Sequence, residues 1–374
     1  MRTRSSRRPA ERGRPVVSSE DTPDRSPGRR RQLCVRGPWS TTSLLSVFNQ
    51  MPRAVTVGLH AAIVAVTEEQ PRVLTVPARD SDARTAALPF GLLEPRHRTL
   101  ELGLRAWVRE QTGMDLAYVE QLYTFGDRDR ALTARGGGRL ISVAYLALVR
   151  ERHVDGHGAT WHGVYELLPW EDRRSGEPDV LRDRIRPALD EWVDDAPDEV
   201  VRHQRRGRVD ITFGSGAAGW DNERVLDRYE LLYEVGLVRE SERDRDSTAQ
   251  TGVPDALPSV GGSGAGLALD HRRILATALG RLRGKLKYRP LVFELVPETF
   301  TLLQLQRTVE ALVGVGLHKQ NFRRLVERGA LVEGTGRLEP DTGGRPAELF
   351  RFRREVLHER PAPGVGLPGL TPTR

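Results

Sequence analysis

The chain has 374 residues, a length that fits about two or three domains, and its 29% charged and 38% hydrophobic content supports a packed core and argues against wholesale disorder. No apolar run approaches the ~20 residues of a membrane helix, and the single cysteine, Cys34, excludes an intramolecular disulfide and a cysteine-cluster zinc site. The net charge of +7 is uneven: residues 51–270 carry 28 basic and 37 acidic side chains, which excludes general polyanion affinity there, whereas residues 271–360 carry 18 basic and 10 acidic ones.

Residues 1–50, with 11 arginines and four acids, show little periodicity. They read as a disordered basic arm or as the product of a mis-assigned start, because Met51 stands directly before the first strand pattern. From Val55 the spacing predicts strands over Val55–Val66 and Val73–Val76, then a helix from Leu100 to Thr112 ended by Gly113. Further strands are expected at Val119–Phe125, Leu140–Val149 and Val164–Leu168, with Gly136–Gly138 as a turn. Residues 52–170 thus read as a mixed α and β domain. The acidic segment 171–265 follows, helical around Leu181–Val193 and Glu223–Val235. Within it Gly214-Ser215-Gly216-Ala217-Ala218-Gly219 spells G-x-G-x-x-G after the strand-like VDITF. Its third glycine precedes a helix cap instead of lying inside a helix, so a plain strand–loop–helix connection is the better reading. Residues 254–266 read as a linker.

An amphipathic helix is expected over Leu267–Leu286. Thr301 with Gln304 matches a capping box, Phe300 and Leu305 occupy the staple positions, and Gly314 ends that helix. A second helix follows over His318–Arg328. Phe322, Leu325 and Val326 take one side, so Gln320, Arg323, Arg324 and Arg328 point the other way. Two strands, Leu331–Glu333 and Ala347–Arg353, flank a turn carrying Arg337 and Arg345. This is the order of a winged helix-turn-helix, whose second helix enters the major groove, where Asn and Gln can read adenine and Arg can read guanine. A solvated helix face has the same spacing, and periodicity alone does not separate the two.

The stretch Leu88–Met114 resembles the Nudix box in Gly91, Glu94-Pro95, Thr99-Leu100-Glu101, Glu110 and Thr112-Gly113-Met114. In Nudix hydrolases the helix glutamates hold magnesium, which stabilises charge on a pyrophosphate and activates water. Aligned on Gly113, the Arg-Glu pair becomes Ala106-Trp107, the Glu-Glu pair becomes Glu110-Gln111, and the loop glutamate becomes Arg98. Glu101 better fits a surface pair with Arg105. No catalytic or metal-binding set is expected; a Nudix pyrophosphohydrolase with an appended nucleic-acid module is the alternative.

Several blocks together resemble the Nudix-related transcriptional regulator (NrtR) family. They are LYTFGDRDR (Leu122–Arg130), GRLISVAYLALV (Gly138–Val149), LDHRRILATALGRLRGKLKYRPL (Leu269–Leu291), FTLLQLQRTVEALVG (Phe300–Gly314), KQNFRRLV (Lys319–Val326) and GRPAELFRF (Gly344–Phe352). The resemblance implies an α+β chain: a Nudix-like α/β/α sandwich over 52–170, then a winged helix-turn-helix with its linker helix over 267–356. The arm, the acidic insertion 171–265 and a disordered tail at 357–374 depart from the compact family pattern. It implies a cytoplasmic, homodimeric repressor of NAD-metabolism genes that binds double-stranded operator DNA and releases it on binding ADP-ribose, with no cofactor required. Carried over by motif, Lys319, Gln320, Asn321, Arg323, Arg324 and the wing residue Arg345 are expected to face DNA. Phe125, Asp127, Arg130, Arg139 and Tyr145 are expected to face the effector, where an arginine can clamp pyrophosphate and an aromatic ring can stack on adenine. Phe125 and Tyr145 are equally compatible with a core position.

Overall fold

In the computed structural model the described residues are 55–78, 85–126, 140–154, 158–248, 264–339 and 346–366. The expected arm, the Gly136–Gly138 turn and most of the linker lie outside them. So do Asp127, Arg130, Arg139 and Arg345.

The α+β organisation read from the sequence is the one the chain adopts. Its larger sheet is built on β1 (Thr56–Thr67), a twelve-residue strand rich in Val and Ala. Around it lie β2 (Gln70–Pro77), β3 (Ala86–Ala87), β4 (Phe90–Leu92), β5 (Tyr118–Phe125), β6 (Leu140–Leu148) and β7 (Thr160–Gly163). The order is β3-β2-β1-β6-β5, with β4 also on β1 and β7 on β2. β1 and β6 run parallel, the other pairs antiparallel. The helix α1 (Leu100–Thr112) covers one face. Thr99 caps it by accepting from the Leu102 N–H, and Gly113 ends it at φ 68°. Its buried side, Leu104, Trp107 and Val108, packs on Leu59, Ala61, Ile63 and Tyr145.

The opposite face joins a second core that runs through the rest of the molecule. It includes α2 (Val164–Leu167), α3 (Arg186–Asp194, entered through a π-turn at Leu181–Ile185), α4 (Glu199–Phe213) and α5 (Val225–Val235), and α6 (Arg239–Thr248) follows outside it. α7 (His271–Leu286) packs on α5 and the sheet. The C-terminal part holds β8 (Phe300–Thr301), α8 (Leu302–Val313), α9 (Lys319–Arg328), β9 (Val332–Glu339) and β10 (Ala347–Phe352). Its three strands pair in the order β8-β10-β9. The Thr301–Gln304 capping box forms in both directions.

Three expectations need correction. Val164–Leu168 is not a strand: Val164–Leu167 is helical, and the strand is the preceding Thr160–Gly163. VDITF is the end of α4, with Val209, Thr212 and Phe213 buried at helical spacing. Short apolar runs satisfy either period, and tertiary packing decides between them. The glycine-rich run is therefore a helix–loop–helix connection, with Gly214 as the left-handed cap of α4. Residues 357–366 of the expected tail are ordered, because Val365 is buried and its N–H donates to Leu286 O at 3.0 Å, and the rest of the tail lies outside the described residues.

At the start of α7, His271 ties the linker helix to the sheet. The Leu88 N–H donates to His271 Nδ1 at 2.9 Å, which puts the His271 proton on Nε2, and that atom donates to His60 Nδ1 at 3.1 Å. Phe90 stacks on the His60 ring. Burial pulls His60 from the ordinary 6.5 down to about 4 and pulls His271 well below its usual value. Both are neutral when folded, so the unfolded chain binds more protons below pH 6.5. Stability is expected to fall as pH drops from 6.5 towards 4, by up to about 1.4 kcal/mol per pH unit for each histidine. Urea unfolding across this window checks it: His60→Gln must flatten the slope, and an unchanged slope would assign the effect elsewhere.

Candidate nucleic-acid interface

α9 is short and strongly two-sided. Phe322 and Val326 are buried, while Lys319, Gln320, Asn321, Arg323, Arg324, Glu327 and Arg328 are exposed. The five helix residues expected to face DNA thus share one solvent-facing surface. Arg324 donates to Asn321 Oδ1 at 2.5 Å, so that pair must part before either reads a base. Among the described residues Arg323 has no hydrogen-bond or ion-pair partner. The helix sits on α8 through Phe322 and Val326, which join the core that holds Leu305, Val309 and Leu312. β9 and β10 form the wing. Arg337 is exposed there beside Leu338, which is 61% exposed, whereas Arg351 is paired with Glu333 at 2.6 Å.

Trp107 and Gln111, which the resemblance aligns with glutamates of the Nudix box, bind backbone atoms. Trp107 Nε1 donates to Leu92 O at 2.8 Å, and its indole fills the space beside Gly91, where a Cβ would lie 2.2 Å from the ring. Gln111 accepts from the Phe90 N–H at 3.1 Å and donates to Phe90 O at 2.6 Å. Both side chains therefore pin β4 to α1. Glu110 is exposed, and Glu101 accepts from Arg105 at 2.9 Å, the surface pair expected from their spacing.

Of the five effector candidates, Phe125 and Tyr145 are described, and the structure does not bring them together. Tyr145 belongs to the core under α1, and Phe125 to the core on the other face of the sheet. A β-bulge causes this. Gln121 faces Tyr145 across the ladder, but Thr124 faces Val143, so β5 has one extra residue and Phe125 lands opposite Ser142. Both rings are buried, and burial together with the Glu101 carboxylate pushes the Tyr145 hydroxyl up.

Sequence reasoning missed a cleft of about 550 Å³ between the end of α1, the exit of β6 and Glu294. Met114, Leu148 and Val149 line it together with Arg150, Arg152 and His153. The run Arg150-Glu151-Arg152-His153 directly after a strand was the available signal. Its volume suits a small polar ligand, and two arginines can meet an anion.

Comparison with known proteins matches residues 292–352 to the NrtR DNA-binding winged helix domain. The ADPR responsive transcriptional repressor NtrR of Acinetobacter baylyi is 41% identical over 86 residues, which is 23% of this chain and 34% of that repressor. The match thus spans about a third of the relative's length. The chain is also similar to Shewanella oneidensis NrtR complexed with a 27mer DNA, at 19% identity over 81% of this chain and 95% of that one, with a TM-score of 0.47. The NUDIX domain of Shewanella oneidensis NrtR complexed with ADP ribose matches at 22% identity over 40% of this chain and 99% of that one, with a TM-score of 0.29. The resemblance to the NrtR family read from the sequence is borne out, and its C-terminal module is a winged helix.

Proposed function

We propose that the protein is a DNA-binding transcriptional regulator whose winged helix reads double-stranded operator DNA and whose sheet domain senses ADP-ribose or a related nucleotide. The observation that carries this reading is α9: a polar, arginine-rich face turned to solvent on a segment that matches a DNA-binding domain. Lys319, Gln320, Asn321, Arg323 and Arg324 face DNA, with Arg345 in the wing. The similarity to an ADPR-responsive repressor supports the effector class and repression, and so a link to NAD-metabolism genes. A two-fold operator calls for a homodimer, and the role calls for a cytoplasmic location. Asp127, Arg130 and Arg139 remain the effector contacts of this reading, with Phe125 and Tyr145 as buried supports on opposite faces. Non-enzymatic action is supported by Trp107 and Gln111, which stand at metal positions of the Nudix pattern and bind the β4 backbone instead.

Mobility shift of the duplex upstream of the protein's own gene tests the reading. Retardation should weaken steeply with salt and be reversed by ADP-ribose, which must bind the DNA-free state better. Conversion of ADP-ribose to AMP and ribose phosphate in the presence of Mg²⁺ would make the chain a hydrolase instead. Arg130→Ala is expected to retain DNA but blunt release. If Arg150→Ala blunts it and Arg130→Ala does not, the effector sits in the cleft after β6.

A further inference from the structure

The last carbonyls of a helix lack partners within it, and they normally face water or a local cap. At the end of α8 they face other parts of the chain. The Tyr165 hydroxyl, in α2, donates to Ala311 O at 2.6 Å. Arg283 Nε, in α7, donates to Leu312 O at 3.0 Å. The Arg173 N–H donates to Gly314 O at 2.7 Å, and Arg173 and Val315 form a parallel bridge. Gly314 takes φ 72°, and a Cβ there would lie 2.3 Å from Glu171 O, so only glycine lets the two backbones meet. Arg307 of α8 also approaches Glu69, at 3.8 Å, on the β1–β2 turn.

Beneath this junction lies Glu171, fully buried with both its cations. Its carboxylate accepts from Arg228 Nε at 2.5 Å and Nη2 at 3.0 Å, and from Arg283 Nη1 at 2.5 Å. Arg283 holds Asn222 O at 2.9 Å, and Arg228 holds Asp221 O at 2.8 Å. The acidic segment is thus wired into the same cluster through α5. Five residues, Gly314–His318, separate α8 from α9, and Glu310 accepts from the Leu317 N–H at 2.8 Å within them. Whatever fixes this turn fixes the angle of α9.

We infer that Tyr165, Glu171 and Arg283 are positioning residues for the DNA-reading helix: they fasten the α8–α9 turn to α2 at the end of the sheet domain, to the start of the acidic segment and to the linker helix α7, and Arg228 supplies the second guanidinium on Glu171. The inference rests on the DNA-reading function proposed above. Through this junction the sheet domain acts on α9 without touching DNA.

Tyr165→Phe in the full-length chain is the test, because it removes one hydroxyl and keeps the ring. Hydrogen exchange of the amides at 315–318 should accelerate by at least about fivefold, the ordinary worth of one hydrogen bond, because the hydroxyl donates to Ala311 O and also accepts from Arg283 Nη2 at 3.4 Å. The factor by which ADP-ribose weakens operator binding should fall to a similar extent. Arg228→Met should reduce the same factor with the α9 surface intact. Unchanged exchange at the turn in Tyr165→Phe overturns the inference, and so does an unchanged coupling factor in a variant whose turn has loosened. If the wild type fails to retard operator DNA, the proposed function falls, while turn exchange still decides whether the fastening exists.

Discussion

Replacing Glu171 with alanine is expected to destabilise the fold by about 3–5 kcal/mol, because it strands two guanidiniums in the interior. Glu171, Arg228 and Arg283 have no solvent exposure in their side chains. Burial pushes the Glu171 carboxyl up, but the guanidiniums of Arg228 and Arg283 outweigh this and hold it below the usual carboxylate range. Without it, Arg228 keeps the carbonyls of Thr212 and Asp221, and Arg283 keeps those of Leu312 and Asn222. Carbonyl dipoles satisfy N–H groups but do not cancel a buried charge. Urea unfolding gives the number. A loss under about 1 kcal/mol, the size of an exposed pair, would mean that water reaches the cluster. Asp179→Ala is the control: its pair with Arg182 is solvent-exposed, and its removal should leave the transition where it was.

Arg323→Ala is expected to weaken operator binding about 10- to 100-fold, the range for losing one bidentate contact to guanine. Arg323 is exposed on α9 and partnered by nothing in the described chain. Its removal should therefore leave unfolding within about 0.5 kcal/mol of wild type and ADP-ribose affinity unchanged. Fluorescence anisotropy with operator and scrambled duplexes separates two roles. A loss confined to the operator marks base reading, whereas an equal loss on both, with a salt slope shallower by about one, marks a phosphate contact. No loss on either duplex would remove Arg323 from the interface. Arg324→Ala should cost less, because that side chain first has to leave Asn321.

Short-range spacing carried much of this protein. The end of α1 at the left-handed Gly113, the box at Thr301 with Gln304, and the division of α9 between Phe322 and Arg323 each depend on residues within about one turn of one another. Those features were legible because the forces that make them act over the same few residues. The runs at Val164–Leu168 and Val209–Phe213 were not, since four or five apolar residues fit either period and only the neighbouring layers choose.

The sites divide in the same way. The exposure of Gln320, Arg323, Arg324 and Arg328 on α9 follows from amphipathic spacing, and Lys319 and Asn321, named from the family resemblance, are exposed as well. Phe125 and Tyr145 part company through one extra residue in β5, because a side chain's face depends on pairing with a strand that begins 15 residues later. Glu171 meets Arg228 and Arg283 from 57 and 112 residues away. Nothing in the local sequence marks these three among 51 acids and 58 bases. Charges of opposite sign are bound to any surface partner by weak, screened forces. Only the packing of α2, α5, α7 and α8 removes the water that would make one pairing as good as another.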